Sequence, residues 1–226
     1  MKLSIVIPAL NETCTINETI ESIYSLDISH DIEIIVVDGN PDENTLHAIT
    51  YDKVIKISST PGRGIQMNKG AEIAKGEVIL FLHSDTKLPS NAILLLMKTL
   101  ENVNLSGGAF DLSIDSKGFL YRVIERVANI RSRITNVPFG DQGIFIRKDV
   151  FDNIGGYKEI PIMEDIDLAR RLKKNNSSLK IIKANVLTSA RRWKNEGVIY
   201  CTLRNWFILA LFFLGVSPFI IKRLYK

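Results

Sequence analysis

With 226 residues, 46% of them hydrophobic and 24% charged, the chain has the size and composition of one globular domain able to bury a sizeable core. That balance excludes a disordered, collagen-like or low-complexity chain. Two cysteines, Cys14 and Cys201, are too few for a disulfide scaffold or a cysteine-built zinc site and fit a reducing compartment. The net charge of +4 divides unevenly: residues 1–115 hold 8 Lys and Arg against 16 Asp and Glu, whereas residues 116–226 hold 21 against 9. A basic half suits an anionic membrane surface, a phosphate-bearing ligand, or simply solvated helix faces. No zinc-finger spacing or aromatic-rich RNA-binding strand occurs, so no nucleic-acid partner is expected.

Met1-Lys2 runs directly into residues 3–7, and no signal peptide is expected. Residues 3–7, 32–37, 54–57 and 78–82 are β-branched-rich runs bounded by turn formers and predict buried strands of a parallel sheet. Between the first two, Thr15-Ile16-Asn17-Glu18 has capping-box spacing, and Ile16, Ile20, Ile23 and Leu26 follow at helical intervals. Residues 42–49 and 64–74 supply the next crossovers. The alternation predicts an α/β fold with a doubly wound, mostly parallel sheet, whose ligands bind beyond the carboxyl ends of the strands. Residues 107–114 and 143–147 predict two more strands, 119–134 an amphipathic helix and 164–172 a short helix.

The end of the chain is different. Residues 206–221 carry no charge and are followed by Lys222-Arg223. A helix of that length reaches about 24 Å, short of the roughly 30 Å hydrocarbon core of a bilayer. Pro218 would break it and Arg204 bars extension upstream. The expected division is therefore a domain over 1–194 and an apolar, basic helical segment over 195–226. That segment is either an interfacial membrane anchor or a buried helix or oligomer face.

Polar residues just past predicted strand ends are the candidates for chemistry: Asn11-Glu12, Asp38, Arg63 and His83-Ser84-Asp85. A single acid there commonly caps a turn. Two carboxylates at the ends of adjacent strands repel and call for a cation or hydrogen-bond donors. Asp85 suits a hard divalent cation that takes most of its ligands from phosphate oxygens, and His83 adds a nitrogen that manganese tolerates better than magnesium.

These segments resemble a known family. Ser4-Ile5-Val6-Ile7-Pro8-Ala9-Leu10-Asn11-Glu12, Val36-Val37-Asp38-Gly39, Leu80-Phe81-Leu82-His83-Ser84-Asp85, Gly155-Gly156-Tyr157 and Glu164-Asp165-Ile166-Asp167-Leu168 stand in the order and spacing of the family 2 glycosyltransferases of GT-A fold. The resemblance implies inverting transfer from a nucleotide-diphospho-sugar, assisted by Mn²⁺ or Mg²⁺. It places Pro8 and Glu12 beside the nucleotide, Asp38 at the nucleoside base, and Ser84 beside the donor. Asp85 is then the last acid of the DxD motif, at the metal, and Asp165 the catalytic base. The sequence departs from the family at His83-Ser84-Asp85, which holds one DxD acid, and at Ser189-Ala190-Arg191-Arg192-Trp193, which lacks the glutamine of QxxRW and argues against a polysaccharide synthase. Arg192 and Trp193 would still clamp the diphosphate and close over the sugar.

A narrower resemblance joins Pro61-Gly62-Arg63-Gly64-Ile65-Gln66-Met67-Asn68-Lys69-Gly70-Ala71 and Phe139-Gly140-Asp141-Gln142-Gly143 to a small bacterial subgroup that includes diaponeurosporenoate (carotenoid) and arsenosugar-biosynthesis glycosyltransferases. It implies Arg63 at phosphate, Gln66 and Asn68 at the nucleotide, and Gln142 and Glu164 on the acceptor side. The expected partner is a small or lipid-like acceptor at the cytoplasmic face of the cell membrane. Two rival readings are a binding protein with a decayed site and a sugar-phosphate nucleotidyltransferase. The second would need a glycine-rich phosphate loop after the first strand, where Ala9-Leu10-Asn11-Glu12 stands instead.

Overall fold

The computed structural model describes residues 1–26 and 31–225, so Lys226 at the end of the tail lies outside it. The four apolar runs of the first half form β1 (Leu3–Ala9), β2 (Ile32–Asp38), β3 (Ile55–Ser58) and β4 (Val78–Phe81). They are joined by α1 (Ile16–Tyr24), α2 (Asn44–Ala48) and α3 (Arg63–Ile73). The second half adds β5 (Thr86–Lys87), α4 (Ala92–Leu100), β6 (Leu105–Asp115), α5 (Phe119–Thr135), a 3-10 turn at Gly140–Gln142, β7 (Ile144–Arg147), α6 (Lys148–Asn153) and α7 (Glu164–Lys174). It closes with β8 (Ser178–Ser189), α8 (Arg191–Glu196), α9 (Val198–Phe213) and α10 (Pro218–Leu224). The strands make one sheet in the order β3-β2-β1-β4-β7-β6-β8-β5. The pairs β1/β2, β2/β3, β1/β4 and β6/β8 are parallel, and β4/β7, β6/β7 and β5/β8 are antiparallel.

Successive side chains of a strand point to opposite faces, and the sheet is covered on both. Ile5, Ile7, Ile34, Val36, Val78 and Leu80 pack with α1 and α4 on one side. Val6, Ile35, Val37, Ile79 and Phe81 pack with α3, α6 and α7 on the other. The edge strand β3 alternates half-buried and exposed residues, and β8 alternates buried and exposed ones along much of its length. This double covering is why β1, β2 and β4 read as continuous apolar runs.

Local differences from the sequence reading have identifiable causes. Thr15 precedes α1 but makes no capping hydrogen bond; its hydroxyl donates to Glu12 Oε2 at 2.8 Å instead. β8 was not foreseen, because its apolar residues are separated by Lys180, Lys183 and Asn185. The tail breaks where Pro218 predicts, with Gly215 at φ +87° in the turn and Pro218 opening α10. Among the described residues no helix is long and apolar enough to cross a membrane. The tail is also not detached. Ile208 and Ile221 are fully buried in a small cluster with Ile162 beside α7.

Candidate active site

The carboxyl ends of β1, β4 and β8, the starts of α3 and α7, and the tail enclose a cleft of about 800 Å³. Pro8 and Glu12 line it from β1, and His83, Ser84 and Asp85 from the end of β4. Arg63 enters from α3, Glu164 and Asp165 from α7, and Arg191, Arg192 and Trp193 from α8. Residues from five distant segments thus line one cleft.

Glu12 is held by its neighbours. Both of its carboxylate oxygens accept hydrogen bonds from Arg191, at 2.6 and 3.2 Å, a fork geometry that fixes both side chains. The same guanidinium lies 3.9 Å from Asp85 Oδ2. Burial raises the Asp85 pKa, the Glu12 carboxylate adds to it, and Arg191 opposes both. His83 is neutral, its pKa pushed down to about 3 by burial and then by Arg63 and Arg192. Ser84 is buried, and its carbonyl accepts from Thr19 Oγ1 at 2.6 Å.

On the opposite wall, Met163 adopts φ +68°, a left-handed conformation that costs a non-glycine residue roughly 1–2 kcal/mol. It sets the chain into α7 so that Glu164 and Asp165 occupy the first turn of the helix. Glu164 is 4% exposed and its pKa is raised by burial, with Arg63 Nε 3.6 Å away in opposition. Asp165 Oδ2 accepts the Gly140 N–H at 2.6 Å. A Cβ on Gly140 would stand 3.0 Å from His83 Nε2 and 3.4 Å from Asp165 Oδ2, so this loop threads closely between the strand-end histidine and the helix-start acid. A glycine is required by that close approach rather than by its φ.

Three of the expected site residues are engaged by partners within the chain. Asn68 does not face the cleft: its amide bonds the Tyr157 backbone in both directions, each at 2.8 Å, and ties α3 to the Gly155-Gly156 turn. Gln142 is fully buried, donates to the Phe110 carbonyl and Ser132 Oγ, and accepts from the Phe139 N–H. It shapes the loop while its neighbour Asp141 faces the cleft. Asp38 is fully buried, and its two oxygens accept the Asn40 and Thr45 N–H groups at 2.9 Å. Its immediate work is to fold the loop after β2. Trp193 is half-buried and stands edge-on to Tyr121, with its indole Nε1 buried and without a partner among the described residues.

Sequence reasoning missed four contributors. Arg191 was passed over for Arg192; both line the cleft, Arg191 paired with Glu12 and Arg192 stacked over Tyr225. Lys222 and Tyr225 arrive from α10 and carry no local signal. Asp141 stood inside a quoted motif. Its Oδ1 is buried and unpartnered among the described residues, and its pKa is raised to about 6, first by burial and then by Asp165.

That shift carries a sign. A folded-state pKa above the unfolded value means that the native state holds the proton longer, so this group's contribution to stability falls as the pH rises from about 4 to about 6. Asp141→Asn should therefore raise the melting temperature near pH 7 and leave it unchanged near pH 4. A variant equally or less stable at pH 7 would contradict the burial argument.

No group of three or more His, Cys, Asp or Glu side chains converges as a metal cage among the described residues. The donor set still fits a divalent cation shared with a diphosphate. Asp85 offers a hard oxygen, His83 a neutral nitrogen, and the remaining positions fall to the ligand.

Comparison with known proteins agrees with this layout. The chain is 37% identical over 103 residues to a poly(ribitol-phosphate) beta-glucosyltransferase of Bacillus spizizenii, covering 42% of this chain and 16% of that protein. It is 26% identical over 214 residues to an uncharacterized glycosyltransferase of Haemophilus influenzae, covering 90% and 69%. It is 23% identical over 190 residues to a beta-monoglucosyldiacylglycerol synthase of Trichormus variabilis, covering 75% and 41%. In shape it is similar to S. aureus TarS 1-349 in complex with UDP-GlcNAc, with TM-score 0.65, 20% identity and coverage of 84% of this chain and 58% of that one. It is likewise similar to the mannosyltransferase PcManGT of Pyrobaculum calidifontis in complex with GDP-Man and Mn²⁺, with TM-score 0.64, 16% identity and coverage of 82% and 56%. The sequence pattern of Glycosyl transferase family 2 matches residues 4–158, more than half of the chain, and the chain belongs to that family and has a GT-A fold.

Proposed function

We propose that this glycosyltransferase inverts the anomeric centre as it moves a sugar from a nucleotide-diphosphate donor to a hydroxyl of a small or lipid-like acceptor at the cytoplasmic membrane face. The observation that carries this reading is the convergence of His83-Ser84-Asp85 and Glu164-Asp165 on one cleft, bridged by Arg63 and by the Gly140 loop. The Trichormus relative, named for a diacylglycerol product, supports the lipid-like acceptor, and TarS and PcManGT support a nucleotide-sugar donor.

Pro8, Glu12 and Ser84 border the nucleotide end, and the loop held by Asp38 receives the nucleoside. Arg63, Arg191 and Arg192 supply positive charge for the diphosphate. A divalent cation, when bound by Asp85 with His83, would act as a Lewis acid on the leaving diphosphate. Asp165 accepts the proton of the acceptor hydroxyl as its oxygen forms a bond to the sugar C1. The C1–O bond to the diphosphate breaks on the opposite face, and the nucleoside diphosphate leaves with the electron pair. A second carboxylic acid to protonate the leaving group is unnecessary, in contrast to glycoside hydrolysis. Asp141 and Glu164 flank Asp165 on the acceptor side.

Thermal shift with UDP- and GDP-sugars in the presence of Mn²⁺ tests the reading. One donor at about a hundred times its Kd should stabilise the protein by about 2.7 kcal/mol and be slowly hydrolysed without acceptor. Absence of both effects for every donor would leave a protein with the fold alone.

A further inference from the structure

Helix α5 exposes what an isolated globular domain buries. At 100° per residue, Phe119, Leu120, Val123, Val127, Ile130 and Ile134 fall within one arc of about 100°. All six are exposed, Phe119 at 79% and Ile134 at 77%. The side of α5 that packs inward, with Tyr121, Glu125 and Ser132, is centred about 170° away. The apolar stripe therefore has no partner among the described residues and faces solvent. This differs from scattered surface hydrophobics, which follow no period.

The same pattern recurs next door. On α9, Ile199, Leu203, Trp206, Phe207 and Phe213 are exposed and fall within about 120° of arc, opposite the buried Cys201 and Ile208. Helices α5 and α9 are in contact, so the two stripes belong to one region of the surface. Large apolar side chains carry on the order of 150 Å² or more each, so half-exposed residues on two helices exceed the few hundred Å² usual for a soluble monomer.

Charge selects the occupant. Arg122, Arg126 and Arg133 occupy an arc of about 40° along one border of the α5 stripe, where Arg122 is paired with Glu125 and Arg133 with the buried Asp111. Arg126 is exposed and makes no ion pair among the described residues. The surrounding half of the chain has 21 Lys and Arg against 9 Asp and Glu. A second copy docked on the same face would bring the same arginines and no exposed acidic residue of α5 to pair with them. Anionic headgroups would complement them while acyl chains receive the apolar stripe. We propose that α5 and α9 together form a bilayer-docking surface for anionic lipid, with α5 as an integral half of it rather than the tail acting alone.

The inference extends the membrane-face reading above, and its test is independent of sugar transfer. Because Asn205, Ile208, Lys222 and Tyr225 line the cleft, deleting the tail would confound docking with catalysis. Substitutions on α5 avoid this. The full chain is mixed with phosphatidylcholine vesicles with and without phosphatidylglycerol, and sedimentation is measured for wild type, Val127→Glu/Ile130→Glu and Arg126→Glu. Circular dichroism checks the fold, and donor hydrolysis in vesicle-free buffer checks the site. Wild type should bind the anionic vesicles preferentially. The double variant should bind roughly tenfold or more weakly and Arg126→Glu should lose most of the preference for phosphatidylglycerol, with hydrolysis unchanged. The proposal is overturned if wild type fails to bind, or if the α5 variants bind as wild type does. It is equally overturned if the chain is a dimer in solution that the double variant dissociates while vesicles never bind. Loss of donor hydrolysis in wild type would count against the catalytic reading and leave the docking result standing.

Discussion

Asp165→Asn is expected to leave donor affinity nearly unchanged and to lower turnover by roughly 10²–10⁴, the usual contribution of a positioned general base. The carboxylate is half-buried at the start of α7, and one oxygen is anchored by the Gly140 N–H. That bond fixes the orientation in which the other oxygen would take a hydroxyl proton. An amide keeps the shape and much of the hydrogen bonding but cannot take the proton. The neighbouring acids serve as controls. Asp167 accepts from Lys158 at 3.0 Å and from Arg171 at 2.6 Å, so Asp167→Asn should lower thermal stability more than turnover. Single-turnover rates with saturating donor and acceptor separate the two. Near-full turnover in a folded Asp165→Asn protein would move the base to another residue, with Asp141 the first to try.

Removing the divalent cation should have the next largest effect. Donor binding is expected to strengthen roughly tenfold or more on going from EDTA to Mn²⁺, a difference of about 1.4 kcal/mol or more. Asp85→Ala should abolish that gain and leave the melting temperature of the donor-free protein close to that of wild type. His83→Ala should cost less, since one imidazole is a smaller share of a coordination shell completed by phosphate oxygens. Calorimetric titration in both buffers reads the outcome directly. Equal affinities in EDTA and Mn²⁺ would assign the diphosphate to Arg63, Arg191 and Arg192 alone.

The donor end of the cleft was legible because it is built from local patterns. β1, β2 and β4 are apolar runs ending at polar residues, and a doubly wound sheet gathers such ends in one place. The side-chain assignments within those motifs were less secure. Asn68 and Gln142 lie near the cleft in sequence, yet both turn inward to satisfy buried backbone groups, a demand that only tertiary packing creates. Gly156 at φ +63°, where a Cβ would meet Asn68 Oδ1 at 2.6 Å, is part of the same local fit. The acceptor wall was the least legible. Lys222 and Tyr225 come from a tail whose apolar run suggested an anchor, and their place beside Arg63 and Arg192 follows from the packing of Ile208 and Ile221. Likewise, the 119–134 periodicity identified an amphipathic helix, but not that its apolar side faces outward while Tyr121 and Ser132 face in.

The Glu12–Arg191 fork joins residues 179 positions apart. Closing a loop of that size costs about 2 kcal/mol more in chain entropy than closing one of a dozen residues. The strands β1 to β4 need only short-range crossovers and can assemble without it. The cleft is therefore expected to be completed after the folding transition state, once α8 reaches back to the first loop. Weakening the fork with Arg191→Lys should accordingly appear as faster unfolding, with the refolding rate little altered.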